Sequence, residues 1–441
     1  MKNIVKLSFA LSAFLALETS LASAQSPAAI TLTLEDALKR AKQYGGQIQS
    51  ANLAALQASE DRLQARAAAL PSVNAFNQFI YTEGNGTPSG VFVANDGVHI
   101  YNEQAVVHEE VLAYARKGEI RRAMSAEAVA RAKVDVAVRG LNATVIQNYY
   151  AIVSAGRKLA NAQASITQAQ NFLDIAQKQE KGGEAAHADV VKAQIDLRQR
   201  QRDIQEARLT VEKTKITLGV LVFPDFNSDF AVVDDLQRIP MLPPKEEAVK
   251  QASGSSPDLN AARLSIDQSG WDVRVARYGY LPSLGLDFFY GINSNQFLAR
   301  TGNPELPNGY RQNLGYAAQA TLNIPVWNWG ATKSKIKQAE LRRDQAQLDL
   351  TLAQRSVQAT LATAYAEAQL ALAQIDSLRG SADLAAESLR LTLLRYQAGE
   401  AVALEVVDAQ NTLNAARNAY DDGLARYRVA QATLQLLTGN L

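Results

Sequence analysis

The chain of 441 residues contains no cysteine. That excludes disulfides, a thiol nucleophile, cysteine-based zinc sites and a lipid anchor on an N-terminal cysteine. Histidine is scarce as well: His99, His108 and His187 are the full set, and no two have a metal-ligand spacing. Acidic and basic residues almost cancel, leaving a net charge of +1, so nothing draws the chain to a polyanion such as nucleic acid. An apolar run over residues 7–17 is too short to span a bilayer as a helix, and no other segment approaches that length. Any membrane insertion must therefore use strands. No nucleophile–base pair, metal cluster or phosphate loop is visible, which argues against an enzyme and leaves no call for a cofactor or metal. The carboxylate pairs Asp234-Asp235 and Asp421-Asp422 read as solvated charge.

Residues 1–24 have the form of a signal peptide. Lys2 and Lys6 precede the apolar run, and Ala22-Ser23-Ala24 is a small-residue cleavage site before Gln25. Glu18 interrupts the apolar region. The remainder is expected to be exported.

What the sequence has in abundance is long helix. From 331 onward there is no proline, and Leu361, Ala368, Ile375, Ala382 and Leu389 recur every seventh residue. Ala364, Ala371, Leu378 and Ala385 form a companion row three positions on, which completes a coiled-coil seam. The many alanines require a close neighbour. Tyr365, Leu370, Leu372 and Ala373 point elsewhere and imply a second one. An arm over 331–395 would reach roughly 95 Å. It turns at Tyr396-Gln-Ala-Gly399-Glu400, with Gly399 as the stop.

The hairpin occurs twice, 216 positions apart. Gly183-Glu184-Ala185 matches Gly399-Glu400-Ala401, and Val190-Val191 matches Val406-Val407. The first seam, Val145, Ile152, Leu159, Ile166 and Leu173, falls on the second position by position. Upstream, Leu70-Pro71-Ser72 recurs as Leu281-Pro282-Ser283. The chain thus reads as tandem copies of a unit of about 210 residues. Its expected organisation is a first repeat over 25–218, a connector over 219–244 and a second repeat over 245–441.

Each repeat opens with helix and then strands. A helix over 31–69 starts on a capping box with Thr33 as cap and Asp36 three residues on, breaks at Gly45-Gly46 and stops at Leu70-Pro71. Strands are expected at 72–82 and near 98–107, separated by loop chemistry over 83–97. A helix over 116–179 and its return arm over 185–218 form the first hairpin. In the second repeat a helix covers 256–280. Leu284, Leu286, Phe288, Tyr290 and Ile292 then alternate with small or polar residues, as do Tyr316, Ala318, Ala320, Leu322 and Ile324. That pattern suits a barrel strand with one face to lipid and one to water, or a half-buried strand of a soluble sheet. Trp327 and Trp329 at the strand end favour the first, since tryptophan collects at membrane interfaces. Four strands per chain cannot close alone, so several chains must share a barrel. A helical ring continuous with it would be a hollow conduit. The alternative is a periplasmic or surface coiled-coil scaffold without a pore.

The tandem units, the paired Leu-Pro-Ser strand entries and the second tip, Arg395-Tyr-Gln-Ala-Gly-Glu400 with Leu404-Glu-Val-Val-Asp-Ala409, resemble the TolC-type outer-membrane efflux and secretion channels over essentially the whole exported length. The resemblance implies a mainly α chain with a small transmembrane β part, a homotrimer, a shared 12-stranded β-barrel in the bacterial outer membrane, and an α-barrel in the periplasm. It implies a periplasmic adaptor and an inner-membrane pump of RND, ABC or MFS type as partners, with outer-membrane lipid around the barrel. Gly182, Gly183 and Gly399 would lie where adaptor hairpins dock; the plainer reading is that they only permit the turns. Glu405 and Asp408, one helical turn apart, would ring the pore constriction, against a reading as ordinary solvated charges. Asp189 would accept a hydrogen bond from Tyr396 and latch the closed state. Two departures stand out. The family's basic latch position is Ala401 here, and copy one reads His108-Glu-Glu-Val-Leu-Ala-Tyr-Ala115 where copy two has Ile324-Pro-Val-Trp-Asn-Trp, so the second strand of copy one is expected to end differently.

Overall fold

The structure, a computed structural model, describes residues 30–81, 99–225, 229–294 and 296–439. The expected signal peptide and the 83–97 loop lie outside the described residues.

The chain begins with β1 (Ile30–Leu32) and α1 (Leu34–Tyr44). The capping box forms as expected: Asp36 N–H donates to Thr33 Oγ1 at 3.1 Å, and Thr33 N–H donates back to Asp36 Oδ2 at 3.2 Å. Gly45 separates α1 from α2 (Gly46–Ala67) because α3 crosses there; a Cβ on Gly45 would lie 2.3 Å from the Leu141 side chain. Then come β2 (Ser72–Tyr81), β3 (His99–Leu112), α3 (Tyr114–Gly182) and α4 (His187–Val222). The connector holds β4 (Phe230–Val232). The second unit follows with α5 (Lys245–Ser255), α6 (Pro257–Tyr278), β5 (Ser283–Ser294), the short β6 (Arg300–Gly302) and β7 (Tyr310–Gln312), β8 (Leu314–Asn323), α7 (Ala331–Gln397) and α8 (Ala403–Thr438). With 69 residues in α3 and 67 in α7, each long helix reaches about 100 Å. No described helix is long and apolar enough to cross a membrane.

Four strands form one antiparallel sheet in the order β2-β3-β5-β8. Leu286, Phe288, Tyr290, Tyr316 and Leu322 stay exposed on it, so one chain leaves its apolar residues uncovered. β2 and β8 end the sheet with edges unpaired among the described residues.

Three local expectations change. Residues 30–32, assigned partly to helix, are a strand, because Leu32 and Phe230 are buried together where β1 pairs in parallel with β4. The loop over 293–312 contains the β6–β7 hairpin. The second strand of copy one extends to Leu112 rather than stopping near 107. Its polar continuation finds partners: His108 Nδ1 lies 2.6 Å from Asp287 Oδ1 on β5, and Glu110 pairs with Arg116. A register shift between Glu110 and Leu112 ends it, and Ala113 alone leads into α3. Copy two instead leaves β8 through 324–330, where Trp329 (φ 53°) and Gly330 (φ 83°) are left-handed.

Most seam residues are buried, including Val145, Ile152, Leu173, Leu361, Ala368, Ile375 and Leu389. Leu370 and Leu372 remain exposed, as expected of positions awaiting another neighbour. At the hairpin roots, Tyr149, Leu218, Val222, Leu236, Leu424 and Tyr427 gather the connector against α3, α4 and α8.

The reading of the carboxylate pairs as solvated charge changes in part: Asp421 is buried and Asp235 half-buried, Asp234 and Asp422 stay exposed, and all four have cationic partners. Arg157 on α3 binds Asp234 at 2.6 Å and Asp421 at 2.9 Å, tying connector and α8 to one guanidinium. Asp235 takes Arg428, and Asp422 takes Lys158 at 2.8 Å. Burial opposes the Asp234 charge, but the Arg157 hydrogen bond and the Leu236 N–H outweigh it and hold its carboxyl below the usual range. A depressed carboxyl stabilises the fold fully above the unfolded-state value of about 3.9 and stops doing so as pH falls through the lower folded-state value. Asp234→Asn is expected to lower the thermal midpoint at neutral pH and to shrink the further drop seen on acidification below about pH 4. Equal acid sensitivity in the two proteins, followed by circular dichroism, would contradict this role.

Candidate functional site

The two hairpin ends are built alike. Gly183 (φ 79°) and Gly399 (φ 77°) are left-handed, the conformation that favours glycine. Glu184 N–H donates to Gln179 O at 2.9 Å and Glu400 N–H to Arg395 O at 2.9 Å, so each long helix closes with the same six-to-one bond. Among the described residues, a Cβ at Gly183 or Gly399 would meet nothing within 4 Å; one at Gly182 would only graze the Glu184 side chain at 3.9 Å. All three glycines therefore face open space.

The ends are held together by a compact apolar cluster. Phe172, Leu173 and Ala176 of α3 and Val190 and Ala193 of α4 meet Ala385, Leu389 and Tyr396 of α7 and Val406, Val407 and Leu413 of α8. The Tyr396 ring stands edge-on to Phe172 with centroids 5.2 Å apart. Its hydroxyl is buried and has no hydrogen-bond partner among the described residues. Burial first, and the Asp189 carboxylate second, push the phenol pKa above its ordinary value. Asp189 is thus near enough to act on Tyr396, while the bond between them is not made in this single chain. Gln179 supplies the direct link instead: its Nε2 donates to Tyr396 O at 3.1 Å and Gln397 O at 3.2 Å. Sequence reasoning passed over Gln179, because a glutamine near a helix end carries no signal of a partner more than two hundred residues away.

Glu405 and Asp408 lie on the first turns of α8 but in different settings. Glu405 accepts from Val402 N–H at 3.3 Å and pairs with Arg395 at 3.2 Å, so it caps its own helix. Asp408 is exposed and its carboxylate has no hydrogen bond among the described residues. Asp189 occupies on α4 the place that Glu405 has on α8, third in the helix, where a carboxylate meets the positive end of the dipole. Ala401 leaves Arg395 as the cation beside this turn; its Nη2 donates to Glu400 O at 3.0 Å.

About three turns inward, Asp196 and Arg200 form a pair at 3.1 Å that is more than nine-tenths buried, and Arg200 reaches Asn411 on α8. Burial raises the Asp196 pKa against the pull of Arg200. At the opposite end of the molecule Trp327 and Trp329 are 75% and 89% exposed, with ring centroids 5.9 Å apart beside the β8 exit. The structure therefore separates the expected sites into one group at the hairpin ends and one at the strand exits.

Residues 248–440 match the outer membrane efflux protein family. Over 292 residues the chain is 23% identical to the outer membrane efflux protein BepC of Brucella suis biovar 1, covering 65% of this chain and 59% of BepC. It is 23% identical over 345 residues to the alkaline protease secretion protein AprF of Pseudomonas aeruginosa, covering 77% of this chain and 68% of AprF. The matched stretch thus spans about three fifths of the length of relatives such as BepC. Among solved structures, the CmeC outer membrane channel of Campylobacter jejuni superposes with a TM-score of 0.75 at 18% identity, covering 92% of this chain and 85% of CmeC. Over residues 248–440 the chain thus matches the outer membrane efflux protein family, and as a whole it shares the fold of the CmeC channel.

Proposed function

We propose that this chain is one third of a bacterial outer-membrane exit duct that passes cargo from an inner-membrane pump across the periplasm and the outer membrane. The observation that carries the reading is the open four-stranded sheet, with apolar residues uncovered and two edges unpaired among the described residues, joined to helices of about 100 Å. Three such sheets close a 12-stranded barrel, and three double hairpins form a tube beneath it. The two repeats then serve as alternating staves of one wall, with the connector around the waist. BepC is named for efflux and AprF for protease secretion; both jobs fit a duct whose cargo is chosen by its pump, whether of RND, ABC or MFS type.

In this arrangement the hairpin ends form the periplasmic mouth. Three copies of Glu405 and Asp408 place six carboxylates around one axis, a ring that favours cations in a narrow pore. Asp408 is the freer of the two, since Glu405 is engaged by Arg395 and its own helix end. A small rotation that brings the unpartnered Tyr396 hydroxyl onto Asp189 latches the mouth shut. In planar bilayers, Glu405→Ala with Asp408→Ala is expected to weaken cation selectivity and block by multivalent cations. Asp408→Ala alone accounts for most of that change. Tyr396→Phe with Asp189→Ala is expected to raise single-channel conductance. An unaltered record in both double variants would place the gate elsewhere.

The mouth also presents Gly182, Gly183 and Gly399 to the periplasmic adaptor. Gly182 separates docking from turn geometry, because it is helical and faces open space. Gly182→Leu is expected to abolish export while oligomer and membrane insertion stay intact. Gly183→Asn, which tolerates the left-handed turn, is expected to retain export. Full export by Gly182→Leu would contradict docking at this end.

A further inference from the structure

We propose that the belt where helices become strands is a phospholipid-headgroup site, a collar of cations that grips lipid phosphates of the leaflet facing the hairpins; this rests on the outer-membrane reading above. The collar is written into both repeats. Arg66 in the last turn of α2 matches Arg277 in the last turn of α6. Lys117 and Arg121 in the first turns of α3 match Lys333 and Lys337 of α7, 216 positions on. Two of the three matches keep the residue type, and the third exchanges Arg121 for Lys337 with the charge retained.

Apart from Arg277, which pairs with Glu340 at 3.1 Å, these cations are free to act on something outside the chain. Arg66, Lys117, Arg121, Lys333, Lys335 and Lys337 are all exposed, and none forms an ion pair with another described residue. No acid lies between residues 327 and 337. At the hairpin ends acids accompany the cations: Arg395 pairs with Glu405 and His187 with Glu180, while the exposed Lys178 and Lys181 are flanked in sequence by Asp174, Glu180 and Glu184. In a chain with a net charge of only +1, the surplus at the strand exits is local. At about 100° per residue, Lys333 and Lys337 lie on one side of α7 and Lys335 on the other. A cation thus faces outward whichever side of α7 forms the outer wall.

The order of chemistry along the chain identifies the partner. Phe288, Tyr290, Tyr316 and Leu322 are exposed on the strands, the aromatics Tyr280, Trp327 and Trp329 are exposed at the strand ends, and the cations follow within two helical turns, roughly 10 Å. Hydrocarbon, interface and phosphate succeed one another in that order through a leaflet. A soluble anion accounts for the cations but not for the apolar and aromatic layers above them.

The test uses the full chain and vesicles of phosphatidylcholine alone or with a minority of phosphatidylglycerol, at low salt. Membrane-inserted protein is measured by flotation. Anionic lipid is expected to raise wild-type insertion at least tenfold, since each cation near an anionic surface contributes on the order of a fivefold gain. Lys117→Gln with Lys333→Gln, Lys335→Gln and Lys337→Gln is expected to lose that gain, whereas Arg198→Gln with Arg202→Gln, on exposed sites of α4, keeps it. Equal insertion of wild type in both vesicles overturns the collar and leaves the channel reading standing. Retention of the gain by the quadruple variant does the same, as does a thermal stabilisation by inorganic phosphate equal to that by the anionic vesicles. Failure of the wild type to enter either vesicle overturns the outer-membrane reading and the collar with it.

Discussion

A β-sheet edge cannot face hydrocarbon. Each unpaired N–H or C=O costs several kcal/mol there, because no water is present to take its place. The β2-β3-β5-β8 sheet leaves the edges of β2 and β8 without partners among the described residues, and its apolar residues stay exposed. One chain therefore cannot satisfy its own sheet in a membrane, and in water it would present an apolar patch of the kind that drives association. In the proposed duct the rest of the design follows from that deficit: the strands are completed by copies of themselves, and the copies bring their helices with them.

The helices carry the matching deficit. Leu56 and Leu63 on α2, Leu341 and Leu348 near the start of α7, and Leu384 and Leu391 near its end are exposed at heptad spacing in the single chain. These are seams without a second strand of coiled coil. Between them the chain is tied where it can be tied alone: at the roots by Arg157 and the buried tyrosines, and at the ends by the Phe172–Tyr396 cluster and Gln179. This division fits a wall whose staves are rigid within a chain and move between chains.

Much of this was legible in the sequence because it is local or repeated. The seven-residue rows, Gly183 and Gly399, the Thr33 capping box and the alternation over β5 and β8 each express backbone geometry in adjacent residues. The tandem copies then supported each reading twice. What was not legible depends on partners far apart in the chain. β1 and β4 are three residues each and acquire their strand character only from one another. Arg157 meets Asp234 and Asp421 across the fold. A signal did exist: copy two has Ala373 where copy one has Arg157, and copy one has Gln205 where copy two has Asp421. Charges present in only one copy mark the places where the copies do different work. At the hairpin ends, the sequence placed Glu405 and Asp408 together. Only the structure separates Glu405, engaged in capping, from Asp408, which is free.

In the proposed trimer the fold is incomplete as a single chain and complete as three. Native mass measurement of the detergent-extracted protein tests it most directly. A species of three copies is expected, with circular dichroism showing the helical content of the folded chain. A monodisperse monomer with that same helical content would contradict it, since its sheet edges and leucine rows would then need no partner.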